Sequence, residues 1–87
     1  MLAEYLGQVV VVDVDSPYVC LGMLTRVDEQ FLELRDADLH DMRDTVTTRE
    51  NYIAASYATG IKRNRKCLLL ARAAVVAVSL LSDVVDE

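Results

Sequence analysis

The sequence predicts a single, mostly β domain: a small five-stranded antiparallel barrel, with a short N-terminal helix and a second helix inserted between strands three and four. Three observations carry this. Residues 8–39 hold three stretches rich in β-branched and aliphatic side chains, separated by short polar turns, which is the pattern of an antiparallel meander. Residues 67–81 hold two further apolar runs. A chain of 87 residues leaves room for one domain only, so residues 1–87 are read as one unit with an insertion at about 40–60.

Each element follows from local chemistry. Met1 to Leu6 can form about one helical turn before Gly7 stops it. Gln8 to Asp15 is dominated by valine, and Val10, Val12 and Val14 share one face of a strand. Asp15-Ser16-Pro17 is a turn, because Asp and Ser bond nearby backbone and Pro fixes φ. A second strand runs from Tyr18 to about Val27, with Gly22 in its middle to let it bend sharply. After the polar turn Asp28-Glu29-Gln30, a third strand runs from Phe31 to about Leu39, with Leu32 and Leu34 inward and Glu33 and Arg35 outward.

Thr47-x-x-Glu50 fits a capping box, and Gly60 suits a helix stop, so a helix is predicted over about Thr48 to Thr59. An extended loop is the alternative. Tyr52 and Tyr57 stand five apart, which puts them on different stripes of that helix, and packing rather than base stacking is their expected role.

Cys67 to Ala71 and Val75 to Val78 are continuous apolar runs, the mark of strands covered on both faces. Taken as a C-terminal hairpin, they carry more apolar surface than so small a barrel can hide, since it covers its inner face only. A neighbouring copy is the economical cover, and the interface is placed at Leu68, Leu70, Val76 and Val78. A single buried helix over residues 67–81 is the competing reading, disfavoured by the β-branched second half.

Composition excludes several classes. Apolar residues are 53% of the chain and charged ones 26%, which is globular rather than disordered. The net charge of −5 opposes indiscriminate attraction to nucleic acid or anionic membranes, though not a local basic patch. The longest nearly apolar run, residues 67–81, contains Arg72 and is too short to span a bilayer. Cys20 and Cys67 have no metal-ligand spacing and read as small buried hydrophobes. With no signal peptide recognised, a cytoplasmic location is expected.

At the level of motifs, Tyr5-Leu6-Gly7-x-x-Val10-x-Val12, Tyr18-x-x-x-Gly22-x-Leu24-x-x-x-Asp28 and Leu34-x-Asp36-Ala37 resemble the first motif of the Sm and Sm-like proteins. Cys67 to Ser79, with Arg72 between two apolar strands, is similar to the second. The resemblance spans roughly residues 2–39 and 64–81 and suggests a divergent, bacterial-type member. It implies a short helix, five strongly bent strands, and homo-oligomeric rings, usually hexamers or heptamers, joined through strands four and five. It also implies binding of single-stranded RNA. Asp28 matches the motif aspartate, Gln30 takes the base-stacking place, and Arg72 is near the arginine that covers the base. Leu32 stands where an asparagine reads the base edge, and Ala73 replaces the glycine that usually follows the arginine. Recognition is therefore expected to be weak or directed at phosphates.

Lys62-Arg63-x-Arg65-Lys66 places four cations within five residues, able to contact phosphates without reading sequence. A solvated flank that balances the acids Asp38, Asp41 and Asp44 of the same or an adjacent subunit is the equal alternative. His40 is the only histidine and stands among those acids; a lone imidazole there reads as solvated, with no metal site. No residue pattern suggests catalysis, and no cofactor is called for. A ring that binds protein rather than RNA, docking partners on the inserted helix, is the rival reading. The tail Asp83 to Glu87 is expected to fray, or alternatively to dock its valines against a neighbour.

Overall fold

The computed structural model describes residues 1–85; Asp86 and Glu87, the end of the acidic tail, lie outside the described residues. The predicted strands and helix form in order. A 3₁₀ turn (Leu2–Tyr5) leads into β1 (Val9–Val14), β2 (Tyr18–Val27) and β3 (Phe31–Asp41). A second 3₁₀ turn (Met42–Asp44) and α1 (Arg49–Thr59) make the insertion. Then come β4 (Arg65–Ala71), a 3₁₀ turn (Arg72–Ala74), β5 (Val75–Leu80) and a last 3₁₀ turn (Leu81–Asp83). Gly7 ends the first turn with φ at 81°, a conformation that glycine adopts freely.

The five strands make one sheet in the order β4-β3-β2-β1-β5, every neighbouring pair antiparallel. The expected C-terminal hairpin is thereby corrected. β4 and β5 do not pair; each bonds one strand only and forms one edge of the sheet.

Gly22 shapes this sheet. Its position faces Asp36 and Ala37, where the β2–β3 register shifts and Asp36 takes a left-handed φ of 49°. Aspartate tolerates that conformation better than most residues. A side-chain carbon built on Gly22 would lie 3.0 Å from the Ala37 Cβ and 3.1 Å from the Arg35 carbonyl oxygen. Backbone-close packing at this bulge folds β2 back on itself. Both ends of β2 consequently meet the same 3₁₀ turn between β4 and β5. Asp15 N–H, just before β2, donates to the Ala74 carbonyl at 2.8 Å. Arg72 N–H donates to the Gln30 carbonyl, just beyond β2, also at 2.8 Å.

Two apolar cores result. Inside the bend, Val10, Val12, Cys20, Leu24, Leu32, Leu34 and Ala37 are buried, as alternation predicts for Val10, Val12, Leu32 and Leu34, whereas Ala37 turns inward only because of the shift at Asp36. Outside it, Val11, Val19 and Leu21 are buried beneath Tyr52 and Ile53 of α1 and beneath Leu81. The expectation that the barrel covers its inner face alone is wrong for β1 and β2. The inserted helix covers their outer face, so the unbroken valine run of β1 is apolar on both sides for a reason within the chain.

The helix is held at its start. Its N-cap is Thr48, whose hydroxyl accepts from Asn51 N–H at 3.1 Å, so the capping pattern lies one residue later than Thr47. Arg49 Nη1 then bonds Asp13 Oδ1 at 2.6 Å, tying the first turn to β1. Tyr52 is buried and Tyr57 exposed, in keeping with their different stripes.

Gly22→Val, which forces a branched side chain against Ala37, is expected to lower unfolding free energy by about 2–3 kcal/mol, measured by urea denaturation. Ile53→Ala is expected to cost about 2–4 kcal/mol, because the outer core loses its aliphatic anchor. Tyr57→Ala on the exposed stripe should stay within about 0.5 kcal/mol of the parent.

Candidate nucleic-acid interface

The turn between β2 and β3 is built around one carboxylate. Asp28 Oδ1 accepts from Phe31 N–H at 2.7 Å and from Gln30 N–H at 2.8 Å, an Asx-type turn. These two donors, Phe31 first, hold the carboxyl below the usual aspartate range, and the nearby Arg26 and Arg72 guanidinium groups act in the same direction. Arg72 is docked on this turn twice. Its N–H reaches Gln30 O, and its guanidinium Nη1 donates to the Asp28 carbonyl at 2.6 Å. Asp28, Gln30 and Arg72, far apart in sequence, therefore form one cluster. Leu32 is 1% exposed and belongs to the inner core, so it presents nothing to a base.

Two residues of this cluster escaped the sequence reading. Phe31 is 41% exposed and lines a shallow cavity of about 150 Å³ together with Arg26, Val27, Asp28, Glu33 and Leu69. The alternation that put Leu32 and Leu34 inward already placed Phe31 on the outward row with Glu33 and Arg35. Arg26 had no signal beyond its charge. Glu33 on the cavity wall is held ionised, its carboxyl lowered chiefly by the Thr25 hydroxyl at 2.9 Å and then by Arg35.

The other expected cations stand elsewhere. Lys62, Arg63, Arg65 and Lys66 are exposed at the head of β4, with Arg65 paired to Ala37 in the bend. The strand separates Arg65 from Arg72 by roughly 20 Å. The two groups of predicted RNA ligands thus occupy opposite ends of β4 and do not make one site. Within the chain this run makes no ion pair with the insertion's acids; Arg63 pairs with Asp36 at 3.4 Å. Asp41 is bound by Arg43 at 2.8 Å, which lowers its carboxyl. Asp38 is 1% exposed, accepting from the Tyr52 hydroxyl and from Asn64 Nδ2 at 3.1 Å. Burial first, and then that carboxylate, push the Tyr52 phenol well above its usual range.

His40 is not solvated as expected. Its ring stacks on Tyr52 with centroids 4.0 Å apart. Among the described residues no three His, Cys, Asp or Glu side chains converge as a metal site would require. Cys20 is buried and its thiol is pushed up to about 11, mainly by desolvation. Cys67 is exposed, contrary to expectation.

The four residues expected at the interface face two ways. Leu68, Leu70 and Val78 pack, half-buried, against the inner core. Alternation then turns Leu69, 58% exposed, outward beside Cys67, while Val76 on β5 is 70% exposed. The uncovered apolar surface of the edges is at Leu69 and Val76.

A five-stranded antiparallel sheet of this order, sharply bent and preceded by one helical turn, is the Sm-like fold. Among solved structures, the chain is similar to the Pyrococcus abyssii Sm protein in complex with a uridine heptamer. The TM-score is 0.63 at 16% identity, over 91% of this chain and 90% of that one. At that identity the likeness is one of fold. No protein-family model matches the chain, and no curated protein matches its sequence. Among the described residues, no helix is long and apolar enough to cross a membrane.

Asp28 gives a pH test of the turn. Its folded pKa lies below the unfolded one, so its contribution to stability is present above the ordinary aspartate value of about 3.9 and is lost as pH falls through the folded value. A carboxyl titration followed by NMR is expected to place the Asp28 midpoint below that of an unstructured aspartate, and Asp28→Ala should abolish this part of the acid dependence.

Proposed function

We propose that this chain is a non-catalytic, homo-oligomeric RNA-binding module that works as a ring, a hexamer or heptamer, in a reducing compartment such as the cytoplasm. The observation that carries the reading is the docking of Arg72 on the Asp28–Gln30 turn beside the exposed Phe31, at one end of a fold shared with an Sm protein in complex with a uridine heptamer. Two sheet edges stand open for assembly, with Leu69 and Val76 uncovered. Copies joined edge to edge leave no free strand.

In this reading, Phe31 and Gln30 offer a surface for base stacking, which tolerates any base. Arg72 and Arg26 supply charge for phosphates, and Leu32 withholds the polar group that would select a base. Recognition is accordingly weak and phosphate-directed.

The test is a titration of single-stranded oligonucleotides at two salt concentrations, with the oligomer mass measured by light scattering. Saturable binding that weakens with salt is expected, with little preference among sequences. Phe31→Ala should weaken it by about tenfold, and Arg72→Ala should reduce the slope of log K against log salt by about 1. An oligomer that shows no saturable binding at low salt would leave the protein-binding ring in its place.

A further inference from the structure

The insertion builds a surface that neither the outer core nor the Arg72 cluster uses. Two hollows of about 610 and 430 Å³ lie side by side at the head of β4. The larger is walled by Thr45, Thr47 and Asn51 of the insertion and by Lys62. The smaller is walled by Asp36, Arg65 and Lys66. Arg63 and Asn64 line both, so the two adjoin as one trough from the insertion to the start of β4.

Asn64 fixes the middle of this trough. Its backbone N–H donates to the Ala37 carbonyl at 2.9 Å, and its side chain bonds Leu39 twice and the Asp38 carboxylate once. The backbone is pinned there, and the cations on either side are held at the two hollows. Their charge is not balanced within the chain. Of the nine Lys and Arg side chains, five pair with carboxylates; the others, among the described residues, are Lys62, Arg65, Lys66 and, at the far end of β4, Arg72. Arg63 does reach Asp36, but both are about two-thirds exposed, and such a pair is weak in solvent. Asp38 is 1% exposed and already engaged by Tyr52 and Asn64. Threonine hydroxyls, an asparagine amide and cations are the groups that contact phosphate and sugar oxygens. Two hollows in series fit successive units of a chain, as in grooves that track a single-stranded backbone.

We propose that this trough is a second contact for single-stranded RNA, separate from the Arg72 turn and built in part by the insertion. A strand long enough to leave that turn is caught again at the head of β4, through phosphate and ribose contacts that read no base. The proposal rests on the RNA reading above and gives the Lys62–Lys66 run its ligand.

The experiment uses the full chain and fluorescent oligoribonucleotides of about four and about sixteen nucleotides, the span of site sizes known for small β-barrels. Circular dichroism checks that each variant is folded. Lys62→Ala with Lys66→Ala is expected to weaken the long oligonucleotide by about tenfold and to flatten its slope of log K against log salt by about 1.4. The short one should change by less than about twofold, because it is held at the Arg72 turn. Lys62→Arg with Lys66→Arg, which keeps the charge, should bind both lengths as the parent does. Arg72→Ala should weaken both. A folded double-alanine variant that binds the long oligonucleotide as tightly as the parent would overturn the proposal and leave the Arg72 reading intact. Equal weakening of both lengths would also overturn it, since the lysines would then lend general charge only. Long-strand binding that needs the lysines but not Arg72 would support the trough and overturn the Arg72 reading. A poly-glutamate peptide that binds through the lysines where RNA does not would overturn the assignment to RNA. No binding of either length would overturn both readings together.

Discussion

The close approach of Gly22 to Ala37 is the constraint on which the rest of the molecule depends. Hydrogen atoms, and nothing larger, fit between β2 and β3 at that point. The fold-back it permits brings Asp15 and Gln30, at the two ends of β2, to the same three-residue turn. Without it, β2 and β3 would form an ordinary long ribbon, the β4–β5 connection would be too short to reach, and Arg72 would never lie on the Asp28 turn. The Asp28–Gln30–Arg72 cluster is thus a product of backbone geometry as much as of side chains.

A second dependence concerns the insertion. A loop of this length between two strands is usually a mobile excursion. Here its aromatic and aliphatic residues, Tyr52 and Ile53, complete a core that the strands begin with Val11, Val19 and Leu21. The helix is therefore part of the stability of the domain, and its apolar stripe is spent on its own sheet. What it leaves exposed is Glu50, Asn51, Ala55, Tyr57, Ala58 and Thr59, so Tyr57 is the one large apolar side chain it offers outward.

Much of the fold was legible because hydrophobic alternation and turn chemistry are local. Val10 and Val12, Leu32 and Leu34, the Asp28 turn and the Gly60 stop could each be read within a few residues. The misreadings share a cause. Asp36 in a left-handed conformation shifts the face on which all later residues of β3 fall, so Asp38, which looks like a surface acid, is carried under Tyr52. The β4 and β5 runs look like a hairpin because the turn between them is short, but the partners of an edge strand are set by bends far away in the chain. The gathering of Asp28, Gln30 and Arg72 was expected only from motif resemblance, since Arg72 bonds across a separation of 44 positions. Phe31 was visible in the alternation and simply not used.

Asn64 has a quieter effect. Its side-chain amide accepts from Leu39 N–H at 3.0 Å and donates to the Leu39 carbonyl at 3.1 Å, standing in for the peptide group of a strand that has not yet begun. The far half of β3 is sealed by that imitation, and only the stretch from Arg65 to Ala71 is left available to an incoming backbone. A strand arriving at this edge would find only those seven residues to pair with, so its register would be narrowly set.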